Sequence, residues 1–198
     1  MLQAWLVFVA ATLLLHLPHG QDAQRPSETL DLTGHWVVNT SMSDALPLLP
    51  GEAMSMARAA GIVRTGGRPS RAVKGPDPRL VSAVRSALRS SLQAAAELRI
   101  TQKGRTVTLR DAENQTIVLV AGGKDQEIEL SGIRVTIAAT LEEPLFTITR
   151  EYADGTVVVD SYSTFTAPRQ LVAFSTISNK HMSEKPVSMN RVYDPLER

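Results

Sequence analysis

The second half of the chain repeats one pattern, in which short runs of alternating apolar and polar residues are separated by turn residues. These runs recur about every 8–12 residues from Glu97 onward, a spacing typical of antiparallel sheets. Two strands flank the turn Lys103-Gly104-Arg105, and the later predicted strands are Thr116–Ala121, Gln126–Leu130, Arg134–Thr140, Leu145–Tyr152, Thr156–Phe165, Leu171–Ser178 and Val187–Tyr193. The pair Asp154-Gly155 is a strong signal for a tight hairpin. The pattern predicts an antiparallel meander, closed into a barrel or folded as a sandwich.

One strand and one helix are predicted ahead of this run. The strand is Trp36–Asn39, and the helix begins at Asp77, a suitable N-cap, followed by Pro78 in the first turn. Apolar residues recur at helical spacing and give the helix one apolar face: Leu80, Val84, Leu88 and Leu92. This face must be covered, so we expect the helix to lie across the open end or an outer face of the β part. In either position the helix would act as a lid over a cavity or as a brace over a filled interior, and the sequence favours the brace.

The N-terminal residues predict export. Ala4–Leu15 is an apolar run of about a dozen residues, which is too short to span a bilayer and fits a signal peptide. The predicted organisation is a signal peptide over residues 1–20, a disordered leader over 21–31, and one domain over 32–198 with a helical and loop insertion at 41–96. The chain has no cysteine, which excludes disulfides and thiolate-bound zinc and suits a bacterial envelope. A secreted or periplasmic location is predicted, with an uncleaved N-terminal anchor as the alternative.

Two end motifs carry a resemblance to a known family. The first reads Leu32-Thr33-Gly34-His35-Trp36-Val37-Val38-Asn39 and continues to Ser43-Asp44, and the last strand ends in Arg191-Val192-Tyr193-Asp194. The chain thereby resembles exported bacterial proteins of unknown function that have a lipocalin-like, calycin-type β-barrel. The resemblance implies a mainly β fold, an antiparallel meander barrel with one amphipathic helix and a basic loop inserted after the first strand.

The same resemblance implies a structural signature made of Gly34, Trp36 and Arg191. In lipocalins the tryptophan of the first strand packs at the closed end of the barrel beneath an arginine of the last strand. Trp36 and Arg191 stand at the corresponding places of this sequence, so a structural pairing of indole and guanidinium is expected.

Basic residues cluster between the two β regions. The cluster consists of Arg64, Arg68, Arg71, Lys74, Arg85 and Arg89. Its first part lies in Gly61–Pro76, where glycine and proline predict an exposed loop. The cluster could face an acidic envelope partner or simply solubilise a loop. No aromatic residue lies between Arg64 and Arg99, so stacking of nucleic-acid bases has no platform there, and no nucleic-acid partner is predicted.

The sequence contains no recognisable catalytic, cofactor-binding or metal-binding motif. After the leader only His35 and His181 remain as histidines, and each is expected to be hydrogen-bonded or exposed. The sequence therefore predicts an exported, non-enzymatic, monomeric binding or envelope-associated protein without a cofactor. It leaves two interpretations open: a small apolar ligand held in or near the barrel, or a solid-core module that contacts an acidic envelope component through residues 64–89. An enzyme is the least favoured class.

Overall fold

A computed structural model of the protein describes residues 30–50, 52, 60, 77–181 and 185–196. The predicted signal peptide and the Gly61–Pro76 loop lie outside the described residues. Within the part of the chain that is described, no helix is both long enough and apolar enough to cross a membrane.

In the described residues, ten antiparallel strands form a single sheet in the spatial order β4-β3-β2-β1-β10-β9-β8-β7-β6-β5. Their bounds are β1 Gly34–Val38, β2 Glu97–Lys103, β3 Thr106–Asp111, β4 Thr116–Val120, β5 Gln126–Leu130, β6 Ile133–Glu142, β7 Leu145–Tyr152, β8 Thr156–Thr166, β9 Arg169–Asn179 and β10 Val187–Pro195. Each strand pairs with its neighbour in sequence, except that the first strand also pairs with the last and the fourth does not pair with the fifth. The prediction of a mainly β meander with one helix inserted after the first strand is confirmed, and the sandwich alternative is wrong because there is one sheet.

The sheet curls into a barrel that stays open between β4 and β5. These edge strands do not pair with each other, but the loop after β4 reaches past β5, where the Gly122 N–H donates to the Ala139 carbonyl of β6 at 2.7 Å. Alternate strand positions point inward, as the pleat requires. Among them Trp36, Phe146 and Leu171 are fully buried, and they belong to one apolar core.

The helix α1, Pro78–Ala94, closes the barrel. The Asp77 side chain accepts a hydrogen bond from the Arg79 N–H at 2.8 Å, and Pro78 occupies the first turn, as predicted. Val84, Leu88 and Leu92 are buried in the same core as the inward-facing strand residues. The helix therefore covers the barrel interior, which is the first of the two expected positions.

The segment from Asn39 to Asp44 covers the part of β10 that β1 is too short to pair. The strand β1 has five residues and β10 has nine, so backbone groups of Asn190 and Val192 need other partners. The Ser43 hydroxyl accepts from the Val192 N–H at 2.9 Å, and an Asp44 carboxylate oxygen accepts from the Asn190 N–H at 2.7 Å. The serine and aspartate of the first end motif thus act on the backbone of the strand that carries the second.

Trp36 receives a cation from a different strand than predicted. The guanidinium of Arg169, at the start of β9, lies 5.1 Å from the centre of the Trp36 ring and also donates to the Thr33 carbonyl at 2.7 Å. In the β1–β10 register Trp36 pairs with Pro195, four residues beyond Arg191 along an extended strand. This offset places Arg191 near the helix, so the expected stacking of Arg191 on Trp36 does not occur.

Gly34 is required by the same indole. A Cβ atom at position 34 would lie 2.7 Å from the Trp36 ring, closer than real Cβ contacts allow. The Gly-x-Trp motif is therefore a packing unit at the start of the barrel.

Replacing Trp36 by alanine should lower the free energy of unfolding by about 3–5 kcal/mol, because it empties a fully buried aromatic site. Chemical denaturation measures this loss. Phe174→Ala is the control, because Phe174 faces outward with 48% of its surface exposed, and it should cost less than about 1 kcal/mol. Equal losses for the two variants would contradict the position given to Trp36.

Candidate functional site

A cavity of about 80 Å³ lies inside the barrel beneath the last turn of α1. Its polar lining residues are Ser91, Asp111, Gln115, Arg150, Asp160, Tyr162, Ser175, Arg191 and Tyr193. Its apolar lining residues are Leu92, Ala95, Leu98, Leu109, Ile117, Ile148 and Ala173. This volume has room for a few water molecules and is well below the roughly 300–1,000 Å³ of small-molecule sites.

A buried ion pair forms one wall of the cavity. Arg150 on β7 and Asp160 on β8 both occupy inward positions, and the Arg150 Nη2 donates to an Asp160 carboxylate oxygen at 2.5 Å. The Ser175 hydroxyl donates to the other carboxylate oxygen at 2.6 Å, so both oxygens of Asp160 have a partner. The exposed fractions of the Arg150 and Asp160 side chains are 11% and 6%.

Arg150 has donor capacity that Asp160 does not use. Its Nη1 donates to the Ser91 hydroxyl of the helix at 3.2 Å, whereas its Nε is buried and has no partner. Burial alone would lower the pKa of Arg150, but Asp160 and the neighbouring Tyr152 and Tyr162 together raise it. The guanidinium therefore stays charged, and its Nε–H has no acceptor.

The second guanidinium of the cavity holds the end of the helix. Arg191 Nη2 donates to the Leu92 carbonyl at 2.5 Å, and the Tyr193 hydroxyl donates to the Ala95 carbonyl at 2.9 Å. The last carbonyls of a helix have no partner within the helix and carry partial negative charge, so a cation is stabilising there. Arg191 and Tyr193 thus bind the C-terminal end of α1 from inside the barrel.

All three tyrosines of the chain lie at or near this cavity and are held neutral. Burial first, and the charge of Asp160 next, raise the pKa of Tyr162 well above its ordinary value. Burial also raises the pKa of Tyr152 and of Tyr193, against the opposing effect of the adjacent arginines. At neutral pH their hydroxyls are hydrogen-bond donors.

A second, larger space lies on the other side of Arg191. We call it the outer groove; its volume is about 490 Å³, and it lies between residues 38–46 and the end of α1. Its lining residues are Val38, Thr40, Ser43, Asp44, Ala45, Leu46, Leu92, Gln93, Ala96 and Arg191. Leu92 and Arg191 also line the inner cavity, so the contact between them forms part of the wall that separates the two spaces.

A third space follows the open edge of the barrel. It has a volume of about 350 Å³ and lies between β4 and β5, with Ile117 and Val118 on one side and Ile128 and Glu129 on the other. None of the described residues that line it is both buried and charged, which distinguishes this space from the inner cavity.

The described residues of the predicted basic patch contact the protein itself. Arg85 donates to the Pro50 carbonyl at 3.2 Å, and Arg89 forms an ion pair with Glu52 at 2.7 Å. Although partial burial would raise the pKa of Glu52, the hydrogen bond from Arg89 keeps it below its ordinary value. Both arginines are half-buried rather than turned freely to solvent. The other patch residues, Arg64, Arg68, Arg71 and Lys74, lie outside the described residues.

Neither His35 nor His181 lines the cavity. His35 is hydrogen-bonded to Glu97 at 2.6 Å on the outer side of β1 and β2, and this bond lowers the pKa of Glu97. His181 is exposed. Among the described residues there is no group of three or more histidine, cysteine or acidic side chains that could hold a metal ion.

The sequence interpretation missed Arg150 and Asp160, although each left a signal. Arg150 follows Phe146 and Ile148 at alternate positions of β7, so a charge interrupts an otherwise apolar inward face. Asp160 holds the equivalent position between Val158 and Tyr162 in β8. A charge of each sign on the inward faces of adjacent strands is the pattern that a buried pair requires.

The chain is similar to several solved structures. A protein titled REP1-NXSQ fatty acid transporter is 10% identical with a TM-score of 0.48, over 84% of this chain and 97% of that one. A secretory abundant heat soluble protein from Ramazzottius varieornatus is 10% identical with a TM-score of 0.47, over 83% and 95% of the two chains. A zebrafish ileal bile acid-binding protein in complex with cholic acid is 14% identical with a TM-score of 0.45, over 83% and 98%.

No family model matches the chain, and no curated protein matches it either. The likenesses to solved structures concern the fold, and what this chain binds is argued from its own side chains.

Replacing Asp160 by asparagine should lower the free energy of unfolding by about 3 kcal/mol or more, because the charge of Arg150 then stays buried without its counterion. Glu151→Gln is the control: it breaks the exposed ion pair with Lys180, and the free energy of unfolding should stay nearly unchanged. Denaturation of both variants by urea measures the difference. A small loss for Asp160→Asn would mean that solvent reaches the pair.

The three tyrosines should ionise only when the protein unfolds in alkali. Their pKa values are raised in the folded state, so the folded state holds protons that the unfolded chain releases above pH about 10. Stability is therefore unaffected by these groups below that pH and falls as the pH rises above it. Phenolate absorbance and circular dichroism, followed together, should change in one transition; phenolate signal from a protein with native circular dichroism would contradict the burial.

Proposed function

We propose that this protein binds a small amphipathic anion, such as an organic carboxylate with an apolar chain, at the end of the barrel that α1 covers. The observation that carries the proposal is the guanidinium of Arg150, which lines the cavity and has a buried Nε without an acceptor. A buried donor without a partner is costly, and an anionic oxygen is its strongest acceptor.

The charges around the cavity support an anionic ligand. Two guanidiniums, Arg150 and Arg191, line the cavity, and Asp160 offsets the charge of the first. Asp111 also lines the cavity, but it is only half-buried, and its carboxylate accepts hydrogen bonds from the Glu113 and Gln115 N–H groups of the following turn. In a poorly solvated interior the charge of Arg191 attracts an anion more strongly than it would in water.

The apolar lining supports an apolar part in the same ligand. Leu98 and Ile148 line the inner cavity and Leu46 lines the adjoining outer groove, and their side chains offer no hydrogen-bonding groups. Convergent polar donors set in an apolar lining are typical of small-molecule sites. The neutral hydroxyl of Tyr162 adds a donor to the guanidiniums.

In this proposal the protein is a monomeric binding protein and not an enzyme. The apolar leader directs its export. Export rests on Ala4–Leu15, which matches a signal peptide in length and composition. The alternative of an acidic envelope partner receives no support from Arg85 and Arg89, which are engaged with Pro50 and Glu52.

The test compares dansyl-undecanoic acid with its methyl ester, which has the same chain and no negative charge. Fluorescence titration should show that the acid binds the protein and that the ester binds at least about tenfold more weakly, since one charged hydrogen bond contributes that much or more. Equal affinities for the acid and the ester would contradict an anion site.

Substitutions of Arg150 and Arg191 test whether these two side chains bind the anion. Arg191→Met keeps an unbranched chain and should reduce the affinity for the acid at least about tenfold. The double variant Arg150→Met with Asp160→Asn removes both buried charges together and should weaken binding of the acid without isolating a carboxylate. Arg134→Met is the matched control, because Arg134 is exposed on β6, and it should bind the acid as the unchanged protein does.

A further inference from the structure

We infer that the contact between Arg191 and the Leu92 carbonyl is a gate, which the anionic group of the ligand opens by taking the place of that carbonyl. This inference rests on the proposed function and adds how the ligand enters and where its apolar part lies. The apolar part lies in the outer groove, and the anionic group reaches Arg191 from there.

The sizes of the two spaces require an opening. The inner cavity, at about 80 Å³, is too small for an amphipathic molecule, whereas the outer groove, at about 490 Å³, lies within the range of ligand sites. Leu92 and Arg191 line both spaces, and one hydrogen bond joins them. Breaking this bond frees a guanidinium that lines both spaces.

The helix end already provides hydrogen-bond acceptors to the donors that would bind a ligand anion. The Leu92 and Ala95 carbonyls accept from Arg191 and Tyr193, and the Ser91 hydroxyl accepts from Arg150. All three acceptors lie within one turn of α1, where the helix dipole places partial negative charge. A carboxylate carries a full charge and is a stronger acceptor for a guanidinium than a carbonyl, so it can displace the helix end.

The outer groove suits the apolar part of such a ligand. Val38, Ala45 and Leu46 form its side away from the helix, and Ala96 lies beside the helix end. Leu46 has 37% of its surface exposed in this structure, so a ligand that covers it removes apolar area from water.

A gate has a thermodynamic consequence that a lid does not. If the ligand and the helix end compete for the same donors, ligand binding must weaken helix docking, and weaker helix docking must strengthen ligand binding. A lid that closes over its ligand requires the opposite sign for both effects.

Hydrogen exchange of the full chain measures the first effect. With saturating dansyl-undecanoic acid, the amides of Ala95 and Ala96, which donate to the Ser91 and Gln93 carbonyls of the last helical turn, should exchange about tenfold faster or more. The methyl ester, at a concentration that gives equal occupancy, should leave their exchange unchanged. Slower or unchanged exchange in this turn while the acid is bound would overturn the gate and leave the proposed function standing. Failure of the acid to bind would overturn both.

Val84→Ala measures the second effect. Val84 is buried on the inward face of the helix and lines neither space, so its truncation weakens helix docking without touching the donors. The gate predicts that this variant binds the acid about threefold more tightly or better, and weaker binding would indicate a lid. Leu130→Ala, a buried truncation on β5 outside the inner cavity and the outer groove, is the control and should leave the affinity unchanged.

Two further variants test the place of the apolar part. Ala96→Trp fills the outer groove from an exposed position, and Leu46→Asp puts a negative charge into it, so each should weaken binding of the acid at least about tenfold. Ala153→Trp adds the same side chain at an exposed turn away from the groove and should have no effect. Unchanged affinity in both groove variants would place the apolar part elsewhere and overturn this part of the inference.

Discussion

The last turn of the helix and the arginines inside the barrel depend on each other. Carbonyls at a helix end need donors, and guanidiniums in an apolar interior need acceptors. Arg191, Tyr193 and Arg150 meet Leu92, Ala95 and Ser91 at this point, so each set supplies what the other lacks. The apolar face of α1 would pack against any apolar surface, and these directional bonds decide where the helix ends over the barrel.

The interior polar groups are arranged so that almost every one has a partner. Asp160 accepts from Arg150 and Ser175, which leaves neither carboxylate oxygen without a donor. A buried ion pair of this kind adds little net stability, because desolvation offsets most of the attraction, but its loss on one side is costly. The pair therefore fixes the positions of β7 and β8 side chains around the cavity. Among the buried side-chain nitrogen and oxygen atoms of the described residues, the Nε of Arg150 is the one that has no hydrogen-bond partner.

The sequence alone predicts the helix and most of the strands, but it does not predict how far each strand is shifted along its neighbour. The Asp77-Pro78 start and the period of Val84, Leu88 and Leu92 predicted the helix, because capping and amphipathicity are local properties. The turn residues predicted most strands to within a few positions for the same reason. Which arginine meets Trp36 was predicted wrongly, since that depends on the β1–β10 register, and hydrogen bonds between distant strands set that register. Neither the cavity nor the Arg150–Asp160 pair follows from one strand alone, because each needs two neighbouring strands to be aligned.

The pairing of the first strand with the last has a consequence for how the protein is made. Trp36 lies in β1, and one of the two neighbours of β1 is β10, which is synthesised more than a hundred residues later. Contacts between such distant segments form late and slow the folding of β proteins. Until Val187–Pro195 leaves the ribosome, β1 cannot pair with β10 and Arg191 cannot bind the helix end. A growing chain therefore carries an unpaired edge on β1 and helix-end carbonyls without their donors until β10 has been synthesised, and unpaired strand edges favour aggregation.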